Sequence, residues 1–441
     1  MELLTHETSL GTLRAGFLGQ TFVVSPDGRH LAYVAQRNQK ALVVFDNQEG
    51  PAYDDIAAGA LIFSPDSAHY AYVGTREGQW HVIVDGHEGP GYDAVTKRSL
   101  VFSPDSRRIA YVARIGNQRF VVVDGKEGRY HDQVGAGTLI FSPDSKRYAY
   151  AAFGSQRQFV IVDGIAERNY DKIIDRSLIF SPDSQRVAYA AGNGKKCVPV
   201  LDGVELQPCD SMPNEPITFS PNSKRTAYWA HLGRPIGLWR IVLDGEPGQV
   251  YSGMCSVLLF SPDSQRLAYF ARKLFGWHVI DGNNKHQRFS VIFPDTLRFS
   301  PNSQRIAYLA TRGRKECAVI DGIPRIHEGI GDQGPIFSPN SVRVGYKAMS
   351  QDRWRVVVDN NIGNEFDGVA DLVFSPDSFH YAYTAQRNGV DLVVVDETEG
   401  PRYPKGFVAG SRMVFCRPDT LCTLAGKNNG EIVLVEICIV D

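Results

Sequence analysis

The sequence predicts an all-β protein: a single closed β-propeller of eleven four-stranded blades, the last blade completed by the N-terminal strand. Three observations predict it: a turn motif at nearly constant spacing, short β-rich segments inside each period, and chain ends that complement each other. The motif is Phe-Ser-Pro-Asp/Asn-Ser. Its first serine falls at Ser25, Ser64, Ser103, Ser142, Ser181, Ser220, Ser261, Ser300, Ser338 and Ser375, in steps of 39, 39, 39, 39, 39, 41, 39, 38 and 37 residues. A degraded eleventh copy stands at Cys416-Arg417-Pro418-Asp419. Such a period marks stacked units that bury their faces against their neighbours.

Residues 99–134 show the elements in order. Ser99-Leu100-Val101-Phe102 is a short apolar strand. Ser103-Pro104-Asp105-Ser106 is a turn, because proline presets φ and the Asp side chain accepts a local backbone N–H. Arg108 to Ala113 alternates and forms a second strand, and Phe120-Val121-Val122-Val123-Asp124 is a β-branched third. Gly125 to Gly128 is a turn, and Tyr130 to Val134 a more polar fourth strand. Four strands of about five residues with three tight turns nearly fill the period. No stretch has the period of an amphipathic helix.

At the N-terminus, Thr12 to Phe17 fall where a fourth strand belongs. The eleventh module supplies three strands, near Met413 to Phe415, Leu421 to Leu424 and Ile432 to Val435. The N-terminal strand completes that blade and removes an open sheet edge. The alternative is two smaller propellers. The register runs without a linker, and its one break, Met212 to Pro216, lies inside a module, so residues 1–441 read as one domain.

The pattern Phe-Ser-Pro-Asp-Ser-x-Arg-x-Ala-Tyr-x-Ala, as from Phe102 to Ala113, resembles the WD40-like PD40 repeats of TolB-type β-propellers over essentially the whole chain. The chain departs from true WD40 repeats: no Trp-Asp pair closes the third strand, where Val84-Asp85-Gly86, Val123-Asp124-Gly125 and Val162-Asp163-Gly164 stand instead. The resemblance implies a propeller with a binding or scaffold role and no particular ligand.

A hydrophobic fraction of 43% and a charged fraction of 22% are those of an ordinary globular protein, and a net charge of −2 gives no global pull toward nucleic acid or anionic membranes. The first residues lack a basic segment followed by an apolar one, and no stretch approaches the ~18 apolar residues of a membrane span. The seven cysteines (Cys197, Cys209, Cys255, Cys317, Cys416, Cys422 and Cys438) are odd in number and irregularly spaced. They read as reduced thiols, neither a disulfide framework nor a zinc site. The expectation is a cytoplasmic monomer without membrane partner, metal or cofactor.

No Gly-x-Ser-x-Gly elbow, Walker A sequence or His-Glu-x-x-His spacing appears, so the chain is read as no enzyme. Asp85, Asp124, Asp163 and their equivalents end third strands, one per blade, and are expected to hold turns; calcium would need six or more converging oxygens. Tyr33, Tyr72, Tyr111 and their equivalents, each after a small residue, are expected between blades. His30, His69 and His380 replace the Arg or Lys of other modules.

The loops between second and third strands are basic. Arg37, Arg76, Lys273, Arg312 and Arg387 stand twelve residues after the marker serine, with Arg114 and Arg234 nearby. Acids such as Glu49, Glu88 and Glu127 are assigned to the opposite face. With the channel mouth, the basic loops form a candidate rim for an anionic partner: an acidic protein surface first, or a nucleic acid or a phosphorylated ligand. The irregular loop Ala230 to Trp239, with Phe275 and Trp277 one blade on, is a second candidate contact. Three functions compete: an interaction scaffold binding a protein on this loop face, a module binding a small ligand, glycan or ion in the channel, and a propeller lyase or hydrolase. The scaffold fits best.

Overall fold

The two middle strands of each module are apolar on both faces, the pattern of a sheet covered on both sides. The structure is a computed structural model that describes residues 1–213, 217–233, 237–273, 276–408 and 410–440. Among these the strands form eleven antiparallel sheets, each with four strand positions and several with a split first strand. The fold is an all-β, eleven-bladed β-propeller; the only helical piece among the described residues is a 3-10 turn, Gly19–Thr21. The chain divides into two compact units. One, residues 14–26 and 30–250, carries blades 1 to 6. The other, residues 1–13, 27–29 and 251–441, carries blades 7 to 11.

In the first unit, blade 3 is representative. Its first strand is split into Ala94–Val95 and Val101–Phe102, and Ile109–Ile115, Gln118–Val123 and Lys126–Glu127 follow. The expected turn at residues 125–128 shrinks to Asp124-Gly125, at φ 50° and 75°. Both residues are left-handed, the two-residue hairpin geometry whose twist matches the strands. Lys126 and Glu127 already pair with Val123 and Val122. The expected fourth strand at residues 130–134 divides. His131 bridges Arg119 of its own blade, whereas Gln133–Val134 crosses to blade 4 and pairs with Phe153 and Ala152.

Alternation then builds the core between blades. Ala110, Val112, Val121 and Val123 pack toward blade 4, against Tyr150, Ala152 and Ile161. Tyr111, Ala113, Phe120 and Val122 point the other way, against Ala71, Val73 and Val82 of blade 2. Tyr111, Tyr150 and Tyr189 thus fill the space left by alanines of the preceding blade, the large-against-small fit that dense packing requires.

In the second unit, blade 11 consists of Val414–Arg417, Thr420–Gly426, Glu431–Val440 and the N-terminal strand Glu2–Thr12. Pairing runs from Glu2 opposite Val440 to Thr12 opposite Glu431. The last blade is therefore completed by the N-terminus, but by residues 2–12 and not by Thr12 to Phe17. Its third strand extends six residues beyond the expected four, and the partner strand is correspondingly long. Phe17 instead bridges Ala35 in blade 1, within the first unit. Cys416 and Cys422 form a disulfide, with Cα atoms 6.0 Å apart, which corrects the expectation of seven reduced thiols. A bulge between Phe415 and Arg417 brings Cys416 beside Cys422 on the neighbouring strand. The other five cysteines are not disulfide-bonded.

Candidate functional site

At one end of each blade lie the first-to-second and third-to-fourth turns, and the repeated polar residues are consumed there. In blade 3, buried Ser103 donates its hydroxyl to Asp105 (2.6 Å) and accepts the Arg108 N–H (3.0 Å). These bonds, with the Arg107 amide, hold the Asp105 carboxyl below its usual range. The backbone N–H of Asp105 reaches Ser145 Oγ of blade 4 at 2.9 Å, and Asp144, Asp183, Asp263, Asn302 and Asn340 make the same bond to their following blades. Asp124 accepts the Ile109 N–H (3.0 Å) and pairs with Arg108 Nε (2.8 Å). Arg108 continues to the Ser145 and Lys146 carbonyls, both at 2.9 Å, and lies over the Phe141 ring. His30, His69 and His380 take the arginine's place against Asp46, Asp85 and Asp396, at 2.6, 2.7 and 2.6 Å. The repeated aspartates are thus engaged in turns and ion pairs.

Several of the repeated tyrosines are engaged likewise, although the buried Tyr72 hydroxyl has no hydrogen-bond partner among the described residues. Tyr189 donates to Glu167 at 2.7 Å, while Tyr150, Tyr308 and Tyr346 meet His131, His286 and His327 at 3.2, 3.1 and 3.1 Å. Burial raises the pKa of these phenols and lowers that of the three histidines. A neutral imidazole accepting a phenol proton satisfies both groups.

At the opposite end, the basic loops are largely neutralised. Arg37 pairs with Glu49 (3.0 Å) and Arg76 with Glu88 (2.7 Å), and Arg387 pairs with Glu399. Glu49 and Glu88, expected on the other face, are each the second residue of a fourth strand, within reach of a long arginine. Arg76, Lys273 and Arg387 also lie over the rings of Tyr53, Tyr251 and Phe366. Arg114 donates to its own loop at Gly116 O (2.7 Å). Arg312 has no carboxylate within ion-pairing distance among the described residues. Arg234 lies outside the described residues, as do Pro235, Ile236 and Phe275. Trp239 begins a third strand and packs its ring against His231. The sequence reading also missed the crossover acids. Asp54, Asp93, Asp171 and Asp367 accept the hairpin amides of Glu77, Gly116, Gly194 and Asn388 in the next blade, at 3.0, 2.7, 2.6 and 2.6 Å. Asp54, Asp171 and Asp367 also pair back to Lys40, Arg157 and Arg353.

Two shallow clefts hold charged groups, and a lysine in each is paired with a carboxylate. One, of about 400 Å³, has Lys427 paired with Glu7 (2.5 Å). The other, of about 380 Å³, has Lys196 paired with Asp210 (2.5 Å).

At the turn end of the second unit the copies differ. After the second motif serine, blades 3, 4 and 6 carry Arg107, Lys146 and Lys224, whereas blades 9 and 10 carry Val342 and Phe379. These side chains are 69% and 77% exposed. Arg305 Nη1 donates to Val342 O (2.6 Å) and Arg343 Nη1 to Phe379 O (2.7 Å), so the two turns are consecutive neighbours. Ile323, the first residue of the fourth strand of blade 8, and Ile362, in the fourth strand of blade 9, are 65% and 63% exposed. Motif aspartates become Asn302 and Asn340 in the same blades. Charge is thinned where apolar surface is gained. The signal was in the sequence, as the departure of positions 342 and 379 from the repeat.

No family model matches the chain, and no curated protein matches it. Among solved structures, the chain is similar to one described as the crystal structure of the eukaryotic initiation factor, at 13% identity over 85% of this chain and 94% of that one, with a TM-score of 0.42. It is also similar to the β-propeller domain of the Trilobed protease from Pyrococcus furiosus, at 12% identity over 60% and 96%, with a TM-score of 0.29. A third similarity is to TolB from Acinetobacter baumannii, at 14% identity over 69% and 77%, with a TM-score of 0.26. Some of these solved structures belong to enzymes and some do not, and the likeness extends to the fold alone.

Proposed function

We propose that the protein is a non-catalytic interaction module that holds a protein partner at the turn end of blades 8 to 10. The observation that carries this reading is the exposure of Ile323, Val342 and Phe379 at the same end of three successive blades. Charge depletion around exposed aliphatic and aromatic side chains is the composition of an interface core. The matching partner surface is an uncharged apolar cluster on another protein. The basic loop face, first expected to take an anionic partner, supports that role less, because Arg37, Arg76 and Arg387 already face carboxylates. The engagement of the motif serines and of most repeated aspartates in turn bonds and ion pairs supports the non-catalytic reading.

The test is the double variant Val342→Glu/Phe379→Glu. Both side chains are exposed, so the melting temperature should hold. Cross-linked partners identified by mass spectrometry from native cells should lose specific proteins relative to the unaltered chain. Sedimentation of the purified protein reports whether a second copy is the occupant. An unchanged partner set with a folded variant sinks the reading. If the variant Arg37→Glu/Arg76→Glu/Arg312→Glu/Arg387→Glu loses partners instead, the loop face is the contact.

A further inference from the structure

Blade 11 carries a cluster that neither the repeat nor the proposed function uses. Cys416 Sγ, Cys422 Sγ and a Glu436 carboxylate oxygen all lie within 4.8 Å of one another. Three structural features assemble them. Cys422 and Glu436 are directly opposite on adjacent strands, so their side chains share one face of the sheet. The bulge after Phe415 turns Cys416 onto the same spot. Arg29, in the turn that packs Gly28 against the Cys422 carbonyl, pairs with Glu436 and fixes its carboxylate. Cys422 is fully buried, whereas Cys416 and Glu436 are partly exposed, which gives the cluster a dry wall and a way in.

We propose that, once the disulfide is reduced, Cys416, Cys422 and Glu436 form a binding site for one soft divalent cation of the zinc class. Tetrahedral zinc with Zn–S of about 2.3 Å and Zn–O of about 2.0–2.2 Å holds its ligand atoms about 3.5–3.8 Å apart. Cys422 Sγ already lies 4.0 Å from Glu436 Oε1, so small rotamer adjustments suffice. The charges also close: two thiolates, one carboxylate and the Arg29 guanidinium sum to minus two, which the cation neutralises. Arg29 acts as the outer-sphere partner that orients a metal carboxylate. The two states exclude each other. A dithiol reductant gives two electrons and two protons to the disulfide and is itself oxidised to a disulfide. The two protein thiols then lose their protons to solvent as the cation binds. Cys438, two residues beyond Glu436, faces the Thr420 hydroxyl at 3.7 Å and is outside the trio.

The experiment titrates the whole reduced protein with Zn²⁺ alone, and with Co²⁺ as a spectroscopic probe. One equivalent should bind, with a thiolate-to-cobalt charge-transfer band and a raised melting temperature. Protein oxidised to the disulfide should bind none. Cys416→Ser, at a partly exposed position, should remove the band. Glu436→Gln should weaken binding by more than the about 10-fold that loss of an outer-sphere partner costs. Cys438→Ser should leave binding unchanged. Circular dichroism shows that each variant is folded. The proposal is overturned by any of four results: no stoichiometric binding to reduced protein, equal binding to oxidised protein, binding indifferent to Cys416→Ser and Glu436→Gln, or binding lost with Cys438→Ser.

Discussion

Ser103 is fully buried and its hydroxyl serves two bonds at once, one to Asp105 and one from the Arg108 amide. Removing it strands a buried amide, a loss of about 1–3 kcal/mol. Ser103→Ala should therefore lower stability by that amount in urea unfolding, whereas Asp105→Asn should be nearly silent at pH 7. The chain already uses Asn340 in the same way, accepting Ser338 Oγ at 2.8 Å and the Val342 amide at 3.1 Å. If Asp105→Asn costs as much as Asp105→Ala, the carboxylate charge matters and the turn reading is wrong. The local role of this residue was legible from the Asp/Asn interchange. Its bond to Ser145 was not, because every blade repeats at the same spacing and a one-dimensional pattern does not say which copy a group touches.

The seam strand sets the next scale. Glu2–Thr12 pairs along the whole third strand of blade 11, burying Ile437 and Ile439 beneath it. Deleting residues 2–12 should expose a long strand edge rich in β-branched residues, an aggregation template. The truncated protein should show concentration-dependent light scattering and thioflavin binding at temperatures where the intact chain stays clear. The strand's existence was legible, because the eleventh module had only three strands of its own. Its position was not, since residues 2–12 carry no alternating apolar pattern: most of that strand is exposed. The fourth strands failed the same way. Lys126–Glu127 looks like turn and Gln133–Val134 like the strand before it, since polar edge strands have little pattern to read. The loop-face ion pairs escaped because each depends on where the fourth strand begins.

For the molecule as a whole, pH dependence follows from groups repeated around the blades. Burial lowers the pKa of His131, His278, His286 and His327. The unfolded chain then binds more protons than the folded one just below pH 6.5, so stability is complete above that value and is lost as pH falls through the folded pKa. Tyr53 and Tyr228 are pushed up to about 12 by burial, with others higher. Here the folded chain keeps protons that the unfolded one releases, so stability is complete below pH 10 and declines above it. Melting temperature should therefore be flat between roughly pH 7 and pH 9.5 and fall on both sides. His327→Gln should flatten the acid limb, since the amide can still accept the Tyr346 hydroxyl without titrating. An acid limb unchanged across substitutions of all four histidines would assign it to carboxylates instead.

Where an arginine follows the motif, it reaches forward to the next repeat: Arg108 to residues 145 and 146, Arg147 to residues 184 and 185, Arg305 to residue 342 and Arg343 to residue 379. Such a repeat carries both an arm for its successor and a socket for its predecessor. A tandem duplication of one unit copies both halves of the joint, and a clean deletion removes both. Unit number can drift in such a gene without any junction being reinvented. The exceptions are the repeats where His30, His69 and His380 stand in the arginine's place and hold only their own turn aspartates. An unequal crossover that lands there would leave a socket with no arm to fill it.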